Sequence, residues 1–183
     1  FSLTLEAPLI PGRLLAAPSP LAVRSPMTAP AALPSCQPPA GFTLFTGHAG
    51  PYFGALGPVY WQEASDGTLT LGLRLKEQHA NILGIPHGGM LLTFADSAIG
   101  VNLGRAQQRR DPSRAIVTTS LSSDFLGSAR IGDWLQAQVT VRRTGRQLAF
   151  GECLLVAGER AILRASAVFS VIDRPLPSDG SDG

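Results

Sequence analysis

His79-Ala80-Asn81-Ile82-Leu83-Gly84-Ile85-Pro86-His87-Gly88-Gly89-Met90 leads straight into a long apolar segment that holds a single carboxylate, Asp96. Proline beside a glycine pair marks the start of a helix, which the pattern extends from His87 to Gly104, with Gly104 as its stop. The first N–H groups of a helix have no partner within it, and that end carries the positive side of the helix dipole. Such an end suits a carbonyl oxygen that must become an oxyanion. A carboxylate two turns further in is placed to attack or to activate water. The stretch therefore reads as a site for acyl transfer or hydrolysis.

Working outward, Leu56–Ala64 and Thr68–Leu75 read as strands joined by the turn Ser65-Asp66-Gly67. Lys76–Pro86 is a loop. After the helix, Gln107–Ser113 is polar and holds Asp111-Pro112, a loop signature. Four strands follow: Ala115–Leu126, Trp134–Arg143, Gln147–Val156 and Ala161–Ile172. The second of these alternates, with Leu135, Ala137, Val139 and Val141 on one face and Gln136, Gln138, Thr140 and Arg142 on the other. A helix apolar on nearly every face must be wrapped. A curved antiparallel sheet folded round it, in the order β-β-α-β-β-β-β, satisfies that need. Strands left open on one side point to pairing with a second subunit.

The flanks differ. Residues 1–40 contain nine prolines mixed with Ala, Leu and Ser, and residues 173–183 are mostly Pro, Ser, Asp and Gly. Both read as disordered, leaving 41–172 as the domain. The first methionine is Met27, so residues 1–26 are expected to be upstream of the native start.

Composition narrows the function. A net charge of +2 in 183 residues gives no electrostatic case for nucleic acid. The longest apolar run, Gly88–Gly104, is broken by Asp96 and Asn102 and falls short of the roughly 20 residues that a membrane span requires. Two distant cysteines, Cys36 and Cys153, form neither a disulfide scaffold nor a metal-ligand spacing, so a reducing, cytoplasmic setting is the expectation. Three histidines (His48, His79, His87) leave little material for a metal site.

Each candidate has a plain structural reading beside the functional one. Asp96 sits on a solvent stripe bonded to Thr93 or Ser97, or it is a costly buried catalyst; the glycine-rich helix start favours the latter. Gly88-Gly89 permits close packing or offers free donors. Asn81 is a turn residue or a carbonyl contact. His87 caps the helix start, while His79 and His48 read as structural. Thr118, Thr119 and Ser120 are ordinary strand residues unless one faces Asp96. The arginines of the turn Arg142–Arg146, and Arg105, Arg109 and Arg110 after the helix, are a solvated surface or a phosphate contact.

The segment HANILGIPHGGMLLTFAD (79–96) resembles the hotdog-fold thioesterases, in the branch with Asn-x-x-Gly-x-x-His-Gly-Gly and an acid within the helix. Acyl-CoA and phenylacetyl-CoA-type thioesterases belong to that branch. The resemblance continues through VTTSLSSDFLGSARIG (117–132) and VRRTGRQLAF (141–150), and covers about residues 50–172. It implies an α+β hotdog domain acting on acyl-CoA as a homodimer or a dimer of dimers, without metal or cofactor. It makes Asp96 the nucleophile or general base and the Gly88 N–H the oxyanion donor, with His87 supporting the turn. Asn81 would polarise the carbonyl or place the water, and Thr118, or Thr119 if the strand slips by one, would hold the water. Asn81, His87 and Gly88 would come from one subunit, Asp96 and Thr118 from the other. Ser120, Phe125, Gly89, Arg143, Gly145 and Arg146 correspond to substrate contacts. An acyl-CoA binder without catalysis is the alternative, and a hotdog hydratase ranks last because no second histidine follows the helix.

Overall fold

The computed structural model describes residues 37–47 and 49–174. The expected disorder of residues 1–36 and 175–183, and His48, lie outside the described residues. Seven strands form one antiparallel sheet in the order β1-β2-β3-β5-β6-β7-β4. In chain order the elements are β1 (Thr43–Leu44), α1 (Pro51–Gly54), β2 (Val59–Glu63), β3 (Leu69–Arg74), a 3-10 turn (Glu77–His79), α2 (Gly88–Arg110), β4 (Arg114–Phe125), β5 (Trp134–Thr144), β6 (Leu148–Ala157) and β7 (Arg160–Asp173). The long helix lies against the inner face of the sheet, as the sequence pattern requires. β1 and α1 are additions to the expected order, and β7 runs one residue past the expected domain end.

Alternation places the core. Leu135 and Ala137 on β5, Ala149, Cys153 and Leu155 on β6, and Leu163, Ala165, Ala167 and Phe169 on β7 are buried on the inner face. They meet Leu91, Phe94, Ala95, Ala98, Ile99 and Leu103 of α2. The spacing of these residues is that of one helix stripe. Asn102 shares the stripe and is fully bonded: its Oδ1 accepts from Leu69 N–H (2.7 Å), and its Nδ2 donates to Leu69 O (2.9 Å) and Ala98 O (3.0 Å). One buried amide thus pins α2 to the start of β3. Cys153 lies free in the same core, and burial pushes its thiol up to about 12.

Two expectations about α2 are corrected. The helix does not stop at Gly104, and Gln107–Arg110 are not loop; it continues to Arg110. Ala, Gln and Arg are strong helix formers, and Arg109 and Arg110 complement the negative C-terminal end. Pro112 then disfavours helical geometry at Asp111, which forms the cap. The helix is also not enclosed on every side. The stripe through Asp96, Ser97, Gly100, Val101, Gly104 and Arg105 lines an open cavity of about 650 Å³.

β4 lies at one edge of the sheet, paired only with β7. Its twelve residues leave Val117 and Phe125 exposed. No described helix is long and apolar enough to cross a membrane.

Candidate active site

The structure collects the sequence candidates into three groups. The first surrounds the start of α2. His87 is the N-cap residue, and its Nδ1 accepts from Gly89 N–H at 2.9 Å. Nδ1 is therefore the unprotonated ring nitrogen, and Gly89's donor is spent on the turn. Gly88 N–H has no hydrogen-bond partner among the described residues, which narrows the free donors expected of the glycine pair. Asn81 fixes its turn and also borders a cavity. Its Oδ1 accepts from Leu83 N–H (2.8 Å) and Ile85 N–H (3.4 Å), fixing the turn, while Asn81 borders a cavity of about 210 Å³ with Gly88, Leu91, Phe125 and Ala129. Phe125 covers Gly88 so closely that a Cβ there would stand 3.2 Å from its ring.

The second group lies two turns along α2. Thr118 on β4 donates from Oγ1 to Asp96 Oδ1 at 3.0 Å. Partial burial pushes the Asp96 carboxyl above the usual carboxylate range, and the Thr118 hydroxyl opposes this by bonding the ionised form. A bulge separates Thr118 from Thr119, and Thr118 is the one that faces Asp96. Thr118 pairs with Phe169 and Ser120 with Val168, so Thr119 is the extra residue. Thr119 bonds Ser170 Oγ at 2.7 Å instead. The register also puts Ser120 on the outer face with Val168, away from Asp96. Within one chain Ser120 therefore points away from Asp96.

The third group is at the far end of α2. The hairpin residues Arg143, Gly145 and Arg146 share a depression of about 700 Å³ with Gln107, Arg110 and Arg114. Gly145 is required there, since a Cβ would stand 2.8 Å from Leu148 O. Arg110 donates to Thr144 O (2.7 Å) and Arg114 pairs with Asp173 (2.6 Å). The Arg143 and Arg146 side chains have no hydrogen-bond partner among the described residues. Gln107 and Arg114 line both this depression and the Asp96 cavity. Sequence reading singled out neither one; Gln107 reaches the cavities through the extension of α2 past Gly104, and Arg114 through the start of β4. His79, read as structural, is that: its Nε2 donates to Leu56 O and its Nδ1 accepts from Lys76 N–H, both at 2.9 Å.

Gly88 and Asp96 are eight residues apart on one straight helix, hence about 12 Å apart along its axis. A carbonyl held at Gly88 is out of reach of the Asp96 of the same chain. The two positions therefore do not meet within one chain.

A family model described as the thioesterase superfamily matches residues 83–163. A Pseudomonas aeruginosa protein named as a candidate esterase is 38% identical over 132 residues, 72% of this chain and 95% of that protein. Mouse thioesterase superfamily member 2 is similar in structure at a TM-score of 0.57 and 22% identity, covering 65% of this chain and 86% of that one. A Bacillus halodurans protein solved with CoA gives a TM-score of 0.55 at 22% identity, covering 63% of this chain and 74% of that one. The fold is the hotdog fold, and the chain belongs to the thioesterase superfamily.

Proposed function

We propose that the domain, residues 41–172, hydrolyses an acyl-CoA thioester at a site shared by two copies of the chain. The observation that carries this reading is the separation of two complementary halves on one helix: a free N–H at Gly88 and a half-buried, hydroxyl-bonded carboxylate at Asp96. In the proposed dimer, or dimer of dimers, each half meets its complement on the partner. Gly88 N–H stabilises the thioester oxygen as it becomes an oxyanion, and loss of such a donor typically costs about a hundredfold to a thousandfold in rate. The Nδ2 group of Asn81 faces the same carbonyl. Asp96 either attacks the carbonyl carbon or takes a proton from a water held with Thr118. Collapse of the tetrahedral intermediate breaks the C–S bond, and the departing thiolate is protonated by the acid form of Asp96 or by water; where Asp96 attacks, water then cleaves the acyl–Asp96 anhydride to free acid and carboxylate. Arg143 and Arg146 bind the phosphate groups of CoA, since arginine forks match phosphate oxygens.

A thiol-release assay over aryl, short-chain and medium-chain acyl-CoAs tests the reading. Catalytic release of CoA with at least one class is expected. Saturable binding with no thiol released would instead identify an acyl-CoA binder, and no binding would reject both.

Asp96 must be ionised to work. Its raised pKa puts the acid limb of the pH–rate profile above the ordinary carboxylate range. Thr118→Val removes the bond that favours the ionised form, so the limb moves to still higher pH. An unmoved limb would show that Thr118 does not set the ionisation of Asp96.

A further inference from the structure

Gly100 and Gly104 lie in the interior of α2, where glycine is a poor helix former. Packing requires neither of them. A Cβ at Gly100 would stand 3.5 Å from the Phe169 ring, and one at Gly104 would stand 4.0 Å from Ile116 Cδ1, both ordinary contacts. Gly151 of β6 is different, since a Cβ there would stand 2.7 Å from Ile99. The two helical glycines therefore keep space open rather than bring elements together. That space is the cavity of about 650 Å³ that Asp96 borders, and Val101, Ile116 and Phe169 give it apolar walls beside the glycines.

The same cavity has a polar residue at its far end. Gln107 is 2% exposed and lines it, and its Oε1 is buried with no hydrogen-bond partner among the described residues. A buried acceptor left unpaired costs stability, and few persist in a folded domain without a use. Asp96 and Gln107 are separated by about three whole turns, so they leave α2 on nearly the same face, about 16 Å apart along its axis. Gly100 and Gly104 stand between them. The result is a slot with a carboxylate at one end, hydrocarbon along its sides and an unpaired acceptor at the other end.

We infer that this slot takes the acyl part of the substrate, that the acyl part is an unbranched chain of medium length with a hydroxyl at its far end, and that Gln107 Oε1 accepts from that hydroxyl. This rests on thioester hydrolysis at Asp96 and adds the class of acyl group. The reacting carbonyl lies at the Asp96 end, so a group running past Gly100 is attached either to the carbonyl carbon or to the sulfur. The sulfur side carries amides and phosphates, which apolar walls do not match. A hydrocarbon chain does match them. An acetyl group or a single ring stops well short of Gln107. A plain chain reaches Gln107 but leaves Oε1 unpaired, so the site favours the hydroxylated chain. Gly100 and Gly104 thus set chain length, and Gln107 selects the end group.

Non-cleavable thioethers separate the slot from the chemistry. Calorimetry compares S-hexyl-CoA, S-dodecyl-CoA and S-(ω-hydroxydodecyl)-CoA. The wild type is expected to bind dodecyl more tightly than hexyl, and the hydroxylated chain about tenfold more tightly than the plain one. Gly104→Leu fills the slot and removes the advantage of dodecyl over hexyl. Gly104→Ala acts in the same direction to a smaller extent and improves the helix, so it serves if leucine prevents folding. Gln107→Leu removes only the advantage of the hydroxyl and, by deleting an unpaired acceptor, does not lower the melting temperature. The kcat/KM values of the matching thioesters, read by thiol release in the Cys36→Ser chain, follow the same order. Equal affinity for the three thioethers, or preferences that survive these substitutions, overturns the slot. Loss of free CoA binding in Gly104→Leu puts the CoA arm there and also overturns it. If either result accompanies turnover of any acyl-CoA, thioester hydrolysis stands and only the slot falls. Ordered, substitution-sensitive binding with no thiol released has the opposite meaning: the slot stands and hydrolysis falls.

Discussion

Asp96→Asn abolishes nearly all turnover and at the same time raises the melting temperature at neutral pH. The first effect follows from removing the only carboxylate on the open stripe of α2; such general-base groups contribute about 10²- to 10⁴-fold. Asparagine is nearly isosteric and keeps an oxygen for the Thr118 hydroxyl, so fold and substrate binding persist. The second effect has a definite sign. Burial raises the folded-state pKa above the unfolded value of 3.8, so the folded protein favours the protonated carboxyl. That favourable contribution is complete below the unfolded pKa and is lost as pH rises through the folded one. At neutral pH the wild type therefore carries a buried charge that the amide lacks, and below about pH 3.8 the two proteins converge in stability. Steady-state kinetics and thermal melts over a pH series check both halves. Full activity in the variant rejects Asp96 as catalyst; a lower melting temperature at neutral pH rejects the burial argument.

Asn102→Ala is the substitution with the largest expected cost to stability. It removes both partners of Leu69, leaving a buried N–H and a buried C=O without a hydrogen bond, each worth about 1–3 kcal/mol. A loss of about 3–5 kcal/mol is a large part of the 5–15 kcal/mol typical of a domain, and lowers the melting temperature by roughly 10–20 °C. Asn102→Leu fills the space but leaves the same two groups unpaired, so it separates hydrogen bonding from packing. If leucine restores wild-type stability, the amide acts through volume alone. Denaturant titration of both variants reads the difference.

Much of the architecture was legible because two periods dominate the chain. The alternation of β5 and the long apolar run after His87 are signals of the backbone itself, and both elements begin where those signals put them. What resisted reading depends on events outside the local pattern. Gly104 resembles a stop, but a glycine ends a helix only when the following residues do not favour continuing it, and Ala106–Arg110 do. β1 is two residues long and exists because β2 offers it an edge. The carboxylate and the glycine pair stood out in the sequence as candidates, since few polar groups interrupt the apolar helix. How they would come together was implied only by the resemblance, because the two positions do not meet within one chain. Thr118 and Ser120 read as equals in sequence, and a single extra residue between them sends them to opposite faces of the sheet.

The deep burial of Cys153 has a practical consequence at the bench. A thiol held almost wholly as the neutral form, and shut off from solvent, reacts poorly with disulfide dyes and maleimides. In the Cys36→Ser chain, colour formed in a continuous assay then reports liberated CoA rather than the protein's own sulfur, and the reagent that measures the reaction leaves the core untouched.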